Sequence, residues 1–190
     1  MSCPQLVITA TANLSARRKM KKKFCMNNCL EIIDSPDRSN IKLFVHKYKS
    51  TLPLSELLGF ILNSVQTKKD KCERCIIFCP SIKLCSDVYT MFRLELKDDI
   101  KFVQMFHSMT VDDVKEEVRA DMNLLSGKNR VLVATSAAGM GVNFAGVNST
   151  IHVGPPKDMH SFVQQFGRSG RDGSQAMSLL LYSSKQCKKT

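Results

Sequence analysis

Two stretches of this 190-residue chain carry residue types in spacings that suit phosphate chemistry. The segment Gln164-Gln165-Phe166-Gly167-Arg168-Ser169-Gly170-Arg171-Asp172-Gly173 ends a helical pattern and sets two arginines three residues apart among glycines. A guanidinium stays charged at any working pH and matches phosphoryl oxygens in a bidentate fork, so Arg168 and Arg171 are candidates to hold an anion. The plainer alternative is a pair of surface salt bridges. The segment Ala134-Thr135-Ser136-Ala137-Ala138-Gly139-Met140-Gly141-Val142-Asn143 follows a strand-like run and is built of small residues. Backbone amides in such a segment can approach a phosphate closely, although the signal taken alone is generic.

A third cluster suggests metal chemistry. Cys72, Cys75, Cys79 and Cys85 have the spacing C-x-x-C-x-x-x-C-x-x-x-x-x-C, and zinc takes four thiolate or imidazole ligands from two short loops. Residues Cys75 to Cys79 form an apolar run of strand type, however, which places Cys75 and Cys79 on a straight rod, and Cys85 faces inward from the next helix. No zinc is expected, and buried thiols are. Met1 to Cys3 leads into a strand-like run and not a signal peptide, and no apolar stretch reaches the ~18 residues of a membrane span. The chain therefore reads as soluble and intracellular, with its eight cysteines reduced. Lys and Arg number 28 against 17 Asp and Glu, a net charge of +11 that favours an anionic partner. The basic run Arg17, Arg18, Lys19, Lys21, Lys22 and Lys23 is a localisation signal, a phosphate-binding arm or a solvated helix face.

The elements that must position these residues alternate strand and helix patterns from residue 41 onward, the signature of a parallel α/β sheet wrapped by helices. Ile41, Leu43 and Val45 alternate as an edge or entry strand, and Leu54, Leu57, Leu58, Ile61, Leu62 and Val65 share one helical face. Further strands are expected at Cys75–Cys79, Lys101–Met105, Arg130–Ala134, Ser149–Val153 and Ala176–Tyr182. A helix with Leu84, Val88, Met91 and Phe92 inward follows the first of these. Thr110 and Asp113 form a capping-box-like start to a helix striped by Val111, Val114, Val118, Met122 and Leu125 that stops at Gly127. A short helix spans Asp158–Phe166. Residues 1–40 stand apart as a leader with one apolar run, Leu6-Val7-Ile8, and a polar helix.

In this order the two phosphate-type segments resemble motifs V and VI of the second RecA-like lobe of superfamily 2 helicases, in their RecQ form. Residues 134–143 match A-T-x-A-x-G-M-G-x-N, and 164–171 match Q-x-x-G-R-x-G-R, where DEAD-box RNA helicases usually begin with His in place of Gln164. Thr9-Ala10-Thr11-Ala12 resembles motif III, Asp37-Arg38-Ser39-Asn40-Ile41 the D-R-P-N-I bridge between lobes, and Phe106-His107-Ser108 the Y-H-A segment. Two departures stand out. Ser39 replaces the bridge proline, and Ile82 stands where motif IV, Ile77 to Ile82, often offers a basic residue.

The resemblance implies a three-layer RecA-like domain over 41–190, preceded at 1–40 by a leader containing the motif III-like segment and the interlobe bridge. It implies that Arg168 and Arg171 reach the γ-phosphate of ATP as catalytic arginine fingers, with Gln164 beside them. It also implies that Gly139, Gly141 and Asn143 line the nucleotide cleft, while Thr135, Ser81 and His107 follow a nucleic-acid strand. For His107 a local hydrogen bond at a strand end is the even alternative. ATP and Mg²⁺ would be held with a first lobe, since G-x-x-x-x-G-K-[ST] is absent from the sequence: Gly127-Lys128-Asn129 lacks both the upstream glycine and the hydroxyl. The expected activity is 3′-5′ DNA unwinding on single-stranded or forked DNA. The chain alone is expected to be inactive, needing a first lobe in cis or trans, and its expected location is nuclear or otherwise intracellular, without membrane. The alternative is a non-catalytic nucleic-acid-binding or regulatory module.

Overall fold

The computed structural model describes residues 4–9, 12–33, 37–136 and 144–186. The chain divides into two compact units, Met1–Asp37 and Arg38–Thr190. The first holds helix α1 (Leu14–Lys23), started by Asn13, whose side chain accepts a hydrogen bond from the Ala16 amide at 2.8 Å. Mean hydropathy is low along α1 and none of its residues is buried. Glu31 folds back onto it and pairs with Arg17 and Lys21, which holds the Lys21 ammonium charged and the Glu31 carboxyl below its usual range. Arg18, Lys19, Lys22 and Lys23 face solvent.

The second unit runs β1 (Ile41–Lys47), α2 (Leu54–Leu57), α3 (Gly59–Lys68), β2 (Arg74–Phe78), α4 (Ile82–Leu96), β3 (Val103–Phe106), α5 (Asp112–Asn123), β4 (Val131–Ala134), β5 (Val147–Val153), α6 (Met159–Phe166) and β6 (Ala176–Tyr182). Its six strands form one sheet in the order β1-β6-β5-β2-β4-β3, with every pair parallel. β2 and β4 are buried along their whole length, as continuous apolar runs in a parallel sheet must be when both faces are covered. Alternate residues serve the two faces. Cys75, Ile77, Val131 and Val133 pack with Leu58, Val65, Val88 and Phe92 of the α3/α4 layer. Ile76, Phe78, Leu132 and Ala134 pack with Val118 and Met122 of α5 and with Phe144.

Several expectations need correcting. The helix over 54–65 is two pieces, broken at Leu58. The third strand begins at Val103 because Lys97–Phe102 winds as 3₁₀ turns. Thr110 does not cap α5: its hydroxyl accepts from the His107 amide at 3.0 Å, and the N-cap position falls on Val111, which has no capping side chain. Only Val118 and Met122 of the expected stripe are buried, and α5 ends at Asn123, short of Gly127. Its last turn is stopped by Asp121, whose carboxylate accepts from the amides of Lys128 and Asn129 at 2.7 and 2.8 Å and so folds the following loop back.

Cys72, Cys75, Cys79 and Cys85 are all buried. A hydrogen bond with Cys85 and burial both keep the Cys79 thiol protonated, and burial does the same for Cys75. Among the described residues no group of three or more His, Cys, Asp or Glu side chains converges to hold a metal ion. Nor is any described helix long and apolar enough to cross a membrane.

Candidate nucleotide and nucleic-acid site

In a parallel sheet each crossover helix runs back against the strands, so helix N-termini gather at the carboxyl edge and helix C-termini at the amino edge. This rule separates the candidate residues into two sites. α6 spans both. Its first turn, where the Asp158 carboxylate accepts from the Ser161 amide at 2.7 Å, lies at the carboxyl edge. Eight residues and roughly 12 Å later, the chain leaves it at the amino edge as the loop Gly167–Gly173.

That loop holds the two candidate arginines. Arg168 N donates to Gln165 O at 3.1 Å, and Ser169, fully buried, donates through its hydroxyl to Phe166 O at 2.8 Å. Gly170 then takes φ +56°, and its amide donates to Val147 O, at the start of β5, at 2.9 Å. Glycine is needed there twice over. A side chain would be in the left-handed region, and its Cβ would lie 2.6 Å from Asn40 Nδ2 and 2.8 Å from Ser174 O. The Gly170 carbonyl accepts from the Arg38 guanidinium at 2.6 Å and from Asn40 Nδ2 at 2.8 Å. Asn40 also donates to Ser174 O at 2.7 Å, locking the loop to the entry of β1. Partial burial followed by the charge of Arg171 lowers the Arg168 pKa, and partial burial followed by the charge of Arg38 lowers that of Arg171. Three guanidinium groups thus share one field of positive charge.

At the carboxyl edge, Ser81, His107 and Thr135 follow the ends of β2, β3 and β4, three neighbouring strands. Ser81 is the exposed N-cap of α4, its hydroxyl accepting from Leu84 N at 3.2 Å. Thr135 is half-buried and continues the ladder by donating its amide to Phe106 O at 3.2 Å. His107 is buried, and its Nδ1 accepts from the Met109 amide at 3.2 Å, so the ring belongs to a local turn. A cleft of about 200 Å³ opens at the same edge, over β2 and β5, lined by Pro80, Ser136, Gly154, Ser161 and Gln165, with His152 at its wall. The His152 ring stacks on Phe78 at 5.3 Å and meets Phe162 edge-on at 4.9 Å. Burial pushes its pKa down to about 4; Gln165 and the Leu179 backbone partly offset the shift, without an aligned hydrogen bond to either ring nitrogen. Gln164 is half-buried on α6. Gly139, Gly141 and Asn143 lie outside the described residues. The chain enters that segment from Ser136 at the carboxyl edge and is next described at Phe144, close to the amino-edge start of β5.

Two further arginines have roles that their sequence context does not signal. Arg38 lies in the bridge-like segment, read as a linker, and only the pairing of β1 with β6 brings it to Gly170. Arg74 opens β2 and is buried. It donates to Asn129 O at 3.1 Å, Met122 O at 3.2 Å, Ala145 O at 2.9 Å and Asp121 O at 3.4 Å, tying the C-terminus of α5 to the entry of β5. Nothing but its position before an apolar run marks it in the sequence.

Residues 53–173 match the family described as helicase conserved C-terminal domain. The ATP-dependent DNA helicase hus2/rqh1 of Schizosaccharomyces pombe is 32% identical over 182 residues, which are 96% of this chain and 13% of that protein. The ATP-dependent DNA helicase RecQ of Haemophilus influenzae is 28% identical over 180 residues, 94% of this chain and 27% of that protein. The chain thus spans little more than a quarter, at most, of the length of these two relatives. Among solved structures, the DEAD-box helicase Mss116 bound to ssRNA and UDP-BeF superposes with a TM-score of 0.74 at 19% identity, over 93% of this chain and 35% of that one. That likeness supports the parallel six-stranded fold, while the sequence relatives and the Gln-x-x-Gly-Arg-x-Gly-Arg loop supply the branch: this chain belongs to the helicase C-terminal domain family, as a C-terminal lobe of the RecQ-like type.

Proposed function

We propose that this chain is the second motor lobe of a RecQ-like, ATP-dependent 3′-5′ DNA helicase. Its amino edge presents Arg168 and Arg171 to the γ-phosphate of ATP held by a first lobe, and its carboxyl edge offers Ser81 and Thr135 to the phosphates of a single strand. The observation that carries this reading is the convergence of Arg38, Arg168 and Arg171 on the Gly167–Gly170 loop. Guanidinium groups gathered on one glycine loop match a polyphosphate in sign of charge and in fork geometry, so the cluster fits a triphosphate. ATP supplies the phosphoryl group; this chain's own part is to concentrate positive charge where the transition state gathers negative charge, a role worth about 10³–10⁵ in rate for an arginine finger. Gln164, one turn of helix earlier, is suited to sense the same nucleotide. Mg²⁺ would be held with the ATP by that first lobe.

The purified 190-residue chain is expected to show no ATPase. Fusion to a RecQ-type first lobe is expected to give DNA-stimulated hydrolysis that Arg171→Ala abolishes. Robust hydrolysis by the chain alone, lost on Arg171→Ala, would contradict the reading. The net charge of +11 favours a second reading, a non-catalytic nucleic-acid-binding module. Salt-sensitive DNA binding that ignores nucleotide in the fused protein would support it.

A further inference from the structure

β1 is the outermost strand of the sheet and pairs only with β6 among the described strands. All its residues after Ile41 are exposed, including Leu43 at 52%, Phe44 at 49% and Val45 at 66%. Exposed edge strands of this length and apolarity are templates for strand addition. The backbone directions are fixed by the neighbouring bonds: Tyr48 N donates to Tyr182 O, and Asn40 O accepts from Ala176 N, both at 2.9 Å. Alternation then turns the peptide groups of Lys42, Phe44 and His46 toward β6 and those of Leu43, Val45 and Lys47 toward the open side.

On one face a groove of about 510 Å³ runs beside the strand, lined by Phe44, Leu52, Phe60 and Leu179 with Glu56 as its one carboxylate. On the other face Leu43 and Val45 stand in register with Ser178 and Leu180. The ends are basic, with Lys42 before the apolar centre and Lys47 and Lys49 after it. An occupant must therefore satisfy outward amides, apolar side chains on both faces and positive charge at both ends. A second copy would double the lysines along one seam and join two bodies of net charge +11. A nucleic-acid strand would meet the lysines but leave the amide ladder unpaired.

We propose that β1 is a docking edge for a protein partner. An extended peptide segment with an apolar centre and acidic ends adds to the sheet as its seventh strand, with main-chain bonds giving affinity and the groove and lysines giving choice. The probe is a fluorescein-labelled peptide of seven residues, matching the length of β1, with Asp and Glu at both ends and Ile and Val between. Anisotropy titration of the 190-residue chain should give saturable binding. Affinity should fall about tenfold or more when alternate peptide amides are N-methylated, when the acidic ends become lysines, or on Val45→Pro, which removes an outward N–H and no bond to β6. Bound peptide should also slow hydrogen exchange at Leu43, Val45 and Lys47. If Val45→Pro does not fold, the N-methylated peptide on the unaltered chain decides. Undiminished binding of that peptide overturns strand addition. Protection of the same amides by self-association without peptide would assign the edge to a second copy, and protection by single-stranded DNA would assign it to nucleic acid; either result overturns the proposal.

Discussion

On the proposed reading, the two edges of the sheet would use opposite means to meet phosphate. The amino edge carries full charges, Arg38 and Arg168 half-buried and Arg171 exposed, on or against a glycine loop whose carbonyls and amides are tied to the entry of β1 and to β5. The carboxyl edge carries small neutral donors, Ser81 and Thr135, beside a buried histidine kept uncharged. Ligands of open α/β sheets gather at carboxyl edges, and the arginines lie at the other end because the return helix α6 carries their loop across the sheet.

Arginine alone does not define the amino edge, and Arg74 shows why. Its guanidinium is buried against four carbonyls, whereas Arg171 is exposed, with Nε donating to Gly167 O at 3.4 Å and the Arg38 guanidinium as electrostatic neighbour. Arg74→Met would take a charged donor from all four carbonyls, although those of Asp121 and Met122 keep the Leu124 and Ala145 amides, and should cost about 3 kcal/mol, read as a fall of roughly 6–12 °C in thermal midpoint. Arg171→Ala should leave the midpoint nearly unchanged. Equal losses for the two would erase the distinction between a structural and a functional arginine.

The carboxyl edge should reveal its neutral histidine through pH. His152 titrates at about 4 in the folded chain against an ordinary 6.5. Below pH 6.5 the unfolded chain binds a proton that the folded one refuses, so stability falls as pH drops from 6.5 to 4 and then levels off, by up to about 3 kcal/mol. Urea unfolding across that range should show the slope, and His152→Phe, which preserves the stack on Phe78, should remove its share of it. A smaller effect tests Ser81. As the N-cap of α4, Ser81→Ala should cost about 1 kcal/mol, while Ser81→Asp should keep the cap yet weaken strand binding by placing a carboxylate against phosphate. Unchanged DNA affinity in Ser81→Asp would remove Ser81 from the strand track.

Much of this architecture was legible because local rules agreed with it. The strand expected at Ala176–Tyr182 is β6, and the short helix expected at Asp158–Phe166 is α6, which begins one residue later because Asp158 is its N-cap. What was not legible was long-range. Arg38 and Asn40 reach Gly170 only because β1 lies beside β6, a strand order that no local pattern encodes. The Thr110 cap failed because its hydroxyl had a nearer donor in His107 N. The early end of α5 depends on Asp121 and Arg74 acting together across 47 residues.

The separation of roles between the edges is the central claim, and a DNA titration of ATPase in a protein fused to a first lobe tests it most directly. Arg171→Ala should lower kcat at saturating DNA by about 100-fold or more and leave the half-saturating DNA concentration unchanged. The double variant Ser81→Ala/Thr135→Ala should raise that concentration by about tenfold, with kcat at saturation within about twofold. If both variants move the same parameter, the edges are one site and the account is wrong.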